Sequence, residues 1–154
     1  MMLKWIKGRQ STVNTNATQQ TMIRLLNQKN DLLLFRLLFL KAMQKHPEAF
    51  RSSFEHESRL TKRKFLRAYS GANILGAFIK TRLVGYAVFL TNKSPKVKHR
   101  ACLYSLYTDE NYRSQGTADS LIKAVIAHLE PSVQQLHLSV VTSNHSAIHL
   151  YEKN

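Results

Sequence analysis

The residues best suited to chemistry form a short loop, Arg113-Ser114-Gln115-Gly116-Thr117-Ala118. Before it, an apolar run from Cys102 to Tyr107 reads as a buried strand, and Thr108 to Asn111 as a polar turn. After it, Ala118, Leu121, Ile122, Val125, Ile126 and Leu129 follow the i, i+3, i+4, i+7 spacing of a helix with one buried face, which Pro131 stops. Small residues let a backbone approach a ligand closely. A helix start adds unpaired N–H groups and a positive dipole end, so the chemistry on offer is phosphate binding. By itself the signal is weak, because many strand–loop–helix units bind nothing.

A second candidate lies at the other end of the chain. Asn144 opens the helix that closes the sequence, which contains Tyr151. Asn144 suits a helix N-cap, a role compatible with touching a ligand. Taken alone, Tyr151 reads as a core aromatic with its hydroxyl tied to backbone. The seven histidines lack paired metal-ligand spacing apart from His145 and His149 at i, i+4, so no metal is expected. The single Cys102 excludes an internal disulfide framework, fits a reducing, cytoplasmic setting and reads as a buried core thiol.

Together these stretches resemble one family. Tyr112 to Ala118 resembles the pyrophosphate loop of the GNAT superfamily of acyl-CoA-dependent N-acyltransferases, Arg/Gln-x-x-Gly-x-Gly/Ala, with Arg113, Gly116 and Ala118 at the defining positions. Asn144 to Lys153 is similar to that family's second motif, Asn-x-x-Ala-x-x-Leu-Tyr-Glu-Lys. Asn73 to Leu90 resembles the hairpin before the core strand. His46-Pro47-Glu48-Ala49-Phe50-Arg51-Ser52-Ser53-Phe54-Glu55 is similar to a segment between the first two helices of bacterial members. The resemblance spans about residues 21 to 154 in the right order, and makes that stretch one acetyltransferase domain.

The resemblance implies an α/β (α+β) fold with a mixed, mostly antiparallel central sheet flanked by helices. The core strand and the strand near Leu136 would splay to admit the pantetheine arm of acetyl-CoA. Leu106, Tyr107 and Thr108 would meet that arm. Arg113, Ser114, Gln115, Gly116, Thr117 and Ala118 would hold the pyrophosphate, and Asn144 would contact pantetheine. Tyr151 would protonate the departing thiolate while an amine attacks the thioester directly. Many members place a carboxylate base on the core strand, but here Tyr104 and Ser105 stand there. Glu55 and Glu57 remain, with His99 and a water chain, and Glu55 is the candidate base.

The remaining elements must position these residues. Met1 to Gln20 has no sustained apolar run and reads as a loosely ordered basic and polar leader rather than a signal peptide. The resemblance implies a short first strand at Thr21 to Leu26, where the family opens with one. Asp31 suits an N-cap for a deeply buried helix over Leu32 to Met43, too short for a membrane span. A basic helix is expected over Thr61 to Tyr69. Strands follow at Ile74 to Ile79 and Leu83 to Leu90, where Gly76 and Gly85 mark close approach or a bulge. Leu136, Leu138 and Val140 alternate as the fifth strand.

Two features stand apart. The chain carries 23 Lys plus Arg against 9 Asp plus Glu, a formal +14, and has no acidic residue between Glu57 and Asp109. Such a field attracts coenzyme phosphates, an acidic partner or nucleic acid, or is a solvated face. The interleaved aromatics that stack bases are missing, which weakens the nucleic-acid reading. Secondly, the family's Tyr-Glu-Lys normally continues into Gly-Phe and two more strands, whereas the sequence stops at Asn154. A C-terminally truncated domain would leave the fifth strand with an open edge. A second copy in a homodimer, a remnant member or an incomplete sequence would each account for this. The functional expectation is an N-acetyltransferase for a small-molecule or protein amine. The alternative is a weak or inactive module that binds an acidic partner or nucleic acid.

Overall fold

A computed structural model describes residues 2–6, 21–26 and 29–154. Its strands are β1 (Met2–Ile6), β2 (Met22–Leu25), β3 (Asn73–Ile79), β4 (Arg82–Thr91), β5 (Arg100–Thr108) and β6 (Gln135–Ser139). Its helices are α1 (Lys29–Lys45), α2 (Phe54–Arg59), α3 (Lys62–Ala68), α4 (Thr117–His128) and α5 (His145–Lys153). The strands form one six-stranded sheet in the order β1-β6-β5-β4-β3-β2. Every pairing is antiparallel except β5 with β6.

The sheet separates two cores. On one face Phe35, Phe39, Met43 and Phe65 pack with Tyr86 and Tyr107, joining α1 and α3 to the sheet. On the other, Leu121, Ile122 and Val125 of α4 pack on Leu75, Val84, Phe89 and Leu103. The central strands β3 and β4 are buried on both faces, so their sequences are near-continuous apolar runs without alternation. Gly76 and Gly85 stand where neighbouring atoms leave no room for a side chain. A Cβ at Gly76 would meet Leu26 Cδ2 at 2.6 Å, and one at Gly85 would meet the Tyr107 carbonyl oxygen at 2.9 Å. The β3–β4 register shifts between Ala77 and Phe78.

Helix α1 is less buried than its composition suggests. Phe35, Leu38, Phe39, Ala42 and Met43 face inward, while Leu37 is 68% exposed and Leu34 also faces solvent. The two cations that interrupt its apolar run each have a partner. The Arg36 guanidinium donates to the carbonyls of Ser58 and Leu60 at 3.3 and 2.6 Å, and Lys41 Nζ donates to Asp109 Oδ2 at 2.6 Å. Asp31 is not the N-cap; it lies inside the first turn, buried, and accepts two hydrogen bonds from Arg24 at 2.7 and 2.8 Å. The expected basic helix forms as α3, capped by Thr61, whose hydroxyl accepts from the Lys64 N–H. Cys102 is half-buried rather than fully enclosed.

The N-terminal segment differs most from expectation. Met2–Ile6 is a strand whose register on β6 runs from Met2–Ser139 to Ile6–Gln135. Backbone pairing wins here because β6 offers a full row of unpaired N–H and C=O groups. The expectation of a loose leader is corrected for these residues, and the rest of it, 7–20, lies outside the described residues. The edge that would have invited a second copy is covered by the chain's own β1.

Candidate active site

The parallel pairing of β5 with β6 stops early. It joins Arg100–Gln135 through Leu103–Leu138 and goes no further, although β5 continues to Thr108. Beyond that point the two strands part, and a groove of about 670 Å³ opens between them. One wall carries Tyr104 to Thr108, and the other Leu138 to Val141 with Asn144, Ala147 and Tyr151 of α5. Its floor is the loop into α4.

That loop is built for close approach. Gly116 caps α4 in the left-handed region at φ 78°, and Ser114 also has positive φ, 59°. A Cβ at Gly116 would meet nothing within 4 Å, and Gly116 itself lines the groove. The Ser120 N–H donates to the Gly116 carbonyl at 2.9 Å and opens the helical ladder. The N–H groups just before it precede the ladder and are available to an anion. Thr108 Oγ1, Thr117 Oγ1 and Tyr107 Oη are buried without a hydrogen-bond partner. Buried hydroxyls are usually paired, so three orphans beside one groove fit a polar ligand.

Arg113 is held from three sides. Its Nε donates to the Thr108 carbonyl at 3.2 Å, its Nη2 lies 3.0 Å from His46 Nε2, and its guanidinium carbon sits 5.8 Å from the Tyr107 ring centre. Burial pushes the Tyr107 hydroxyl above its usual pKa, with Asp109 adding to the rise. Lys41 and Lys45, on the last turns of α1, reach Asp109 and Glu110 at 2.6 and 3.5 Å.

On α5, Asn144 is an N-cap, its Oδ1 accepting from the Ala147 N–H at 3.1 Å, and it lines the groove as well. The Tyr151 side chain is partly buried, and burial pushes its hydroxyl pKa up to about 12. Asp119, on the first turn of α4, ties the helices together. It accepts from Lys123 at 2.8 Å and from Lys153 and Asn154 at 2.9 Å. Burial alone would raise its pKa, but those partners outweigh it and hold the carboxyl down to about 2.

The groove thus brings together Leu106, Tyr107, Thr108, Arg113, Ser114, Gly116, Thr117, Ala118, Asn144 and Tyr151. Gln115 belongs to the loop but not to the lining. Glu55 is not with them: it lines a neighbouring depression of about 660 Å³ that shares only Phe50 with the groove. Glu57 turns inward, buried, with Oε2 unpartnered. His46 and Glu48 line the groove although sequence reasoning assigned them no role. Their only signal was the His46-to-Glu55 segment itself, which gave no indication of which member faced inward. Among the described residues no group of three or more His, Cys, Asp or Glu gathers to hold a metal ion, and no helix is long and apolar enough to cross a membrane.

Comparison with known proteins follows the same lines. Residues 39–154 match the model of the acetyltransferase (GNAT) family. A GNAT-family acetyltransferase from Streptococcus pneumoniae superposes with TM-score 0.70 at 21% identity, over 87% of this chain and 82% of that one. A ribosomal-protein-alanine N-acetyltransferase from Brucella melitensis biovar Abortus 2308 gives 0.66 at 23%, over 87% and 89%. An aminoglycoside acetyltransferase from an uncultured soil metagenomic sample, in complex with sisomicin, gives 0.64 at 20%, over 86% of each chain. At these identities the structures speak for the fold alone. No curated protein sequence matches significantly.

Proposed function

Because this chain belongs to the GNAT acetyltransferase family, we propose that it transfers an acetyl group from acetyl-CoA to a primary amine of a small molecule or protein by direct attack. The observation that carries this reading is the parting of β5 and β6 beyond Leu103 and Leu138, over a helix start with buried, unpartnered hydroxyls around it. The residues present fit the coenzyme. The loop N–H groups from Ser114 to Ala118, with Arg113 and the Thr117 hydroxyl, would hold its pyrophosphate. The free edge of β5 at Leu106 to Thr108 would hydrogen-bond the pantetheine amides, and Asn144 would meet them from α5.

Acetyl-CoA supplies the acyl group as a thioester. The amine forms the C–N bond as the C–S bond breaks, and the amine's proton must leave while the sulfur gains one. A Tyr151 hydroxyl whose pKa is pushed to about 12 stays protonated at neutral pH and can donate to the departing sulfur. Glu55 opens on the neighbouring depression, so a base role for it requires a water chain passing Phe50. Calorimetric titration with acetyl-CoA and coenzyme A tests the reading. One site per chain with micromolar affinity is expected, followed by acetylation of a member of an amine panel detected by mass. Absence of binding would overturn it.

A second reading has its own observation. All eleven cations from Arg59 to Arg100 are exposed, and none makes an ion pair among the described residues. A catalytically weak module holding an acidic partner or nucleic acid through that surface would bind in a steeply salt-dependent way without turning over acetyl-CoA. Turnover with salt-insensitive partner binding would exclude it.

A further inference from the structure

The end of α1 grips the loop that opens α4. Lys41, Lys45 and His46 reach Asp109, Glu110 and Arg113 in turn, at 2.6, 3.5 and 3.0 Å. The last contact settles a proton. A guanidinium only donates, so His46 Nε2 must accept, and the neutral ring carries its hydrogen on Nδ1. Glu48 lies on that side, its Oε1 3.8 Å from Nδ1, and the Tyr107 ring centre is 6.2 Å from that of His46. Arg113 is therefore clasped by the Thr108 carbonyl through Nε and by His46 through Nη2, and its remaining N–H donors are left for a ligand.

We propose that His46 is a positioning residue for the acetyl donor. Acting through Arg113, it fixes the guanidinium over the groove before a phosphate arrives. The inference rests on the acetyl-donor reading of the groove and deepens it. An arginine held in place loses less side-chain freedom on binding an anion than one that waves in solvent. The clasp also joins two sides of the site. His46 begins the segment through Glu48 and Phe50 that also lines the groove, so seating the donor also seats that part of the lining.

Two measurements decide it. The first uses the free protein: nitrogen-15 NMR of the histidine rings should show His46 as the Nδ1–H tautomer, and Arg113→Ala should disturb that signature. An Nε2–H ring, or a ring indifferent to Arg113→Ala, would overturn the clasp. The second is calorimetry with coenzyme A. His46→Ala should weaken binding roughly fivefold, the scale of one modest hydrogen bond. His46→Gln, whose amide oxygen can accept, should recover most of that loss. In an Arg113→Ala background, His46→Ala should cost nothing further. Equal losses in both backgrounds, or no loss at all, would overturn the proposal. If the wild-type protein bound no coenzyme A, the donor reading would fall, and the tautomer measurement would still judge the clasp.

Discussion

Gly116 and Tyr151 carry most of what a single residue decides in this groove. At Gly116 the obstacle to a side chain is backbone conformation, since φ is 78° and a Cβ placed there would have no neighbour within 4 Å. Gly116→Leu should therefore lower stability by only roughly 1–2 kcal/mol, the strain of one left-handed residue. Its side chain would fill the phosphate seat, so coenzyme A affinity should fall more than tenfold by calorimetry. Tyr151→Phe should leave that affinity within about twofold and slow acetyl transfer roughly 100-fold or more, the usual range for a lost proton donor. Its raised pKa has a sign too. Unfolded tyrosine ionises near 10 and the folded one at about 12, so stability falls as pH rises through that window, and Tyr151→Phe should remove this part of the loss. Loop residues such as Arg113 and Gly116 were legible because motif and spacing coincide. His46 was not, because its importance comes from a neighbour 67 positions away.

At the scale of elements, the groove depends on how β4 meets β5 and how α5 meets α4. Gly85→Ala should press on the Tyr107 carbonyl at 2.9 Å, a backbone atom that cannot rotate aside. A loss of about 1–3 kcal/mol is expected in denaturant unfolding, together with weaker coenzyme binding as Tyr107 and Thr108 shift. Asp119 is the tie between α4 and α5. Its folded pKa, about 2, lies below the ordinary 3.8, so its contribution is complete above that ordinary value and vanishes as pH falls through 2. Asp119→Asn should lower the melting temperature at neutral pH and flatten the acid limb between about pH 4 and pH 2. Strands β3 to β6 and α4 were readable from periodicity and punctuation, whereas β2 and α5 were legible through the family resemblance and β1 was not legible at all. The exposure of Leu34 and Leu37 was not, since an apolar run does not say which side lacks a neighbour.

On the scale of the whole molecule, the sheet is extended past β6 by the segment that looked least structured. Nothing local in Met2–Ile6 announces a strand with a distant partner, and only the vacant edge of β6 makes it one. Deleting residues 1–8 should uncover that edge. Hydrogen exchange at Leu136 and Leu138, whose N–H groups face β1, should accelerate, and the melting temperature should drop by about 2–4 °C for each kcal/mol lost at this size. Unchanged protection of β6 would count against the pairing. The net charge of +14, evident from composition, shapes the surface without determining the fold.

The pairing of Met2 with Ser139 also has a consequence in time. β1 leaves the ribosome long before the strand it belongs beside. At usual synthesis rates it waits roughly 7–27 s for β6 to be made. Such a long-range contact must also overcome a large loop-closure entropy. The sheet cannot be finished until β6 has emerged, and the nascent chain carries an unmatched β-strand in the meantime. A chaperone that shields extended apolar segments would find β1 open to it throughout that interval.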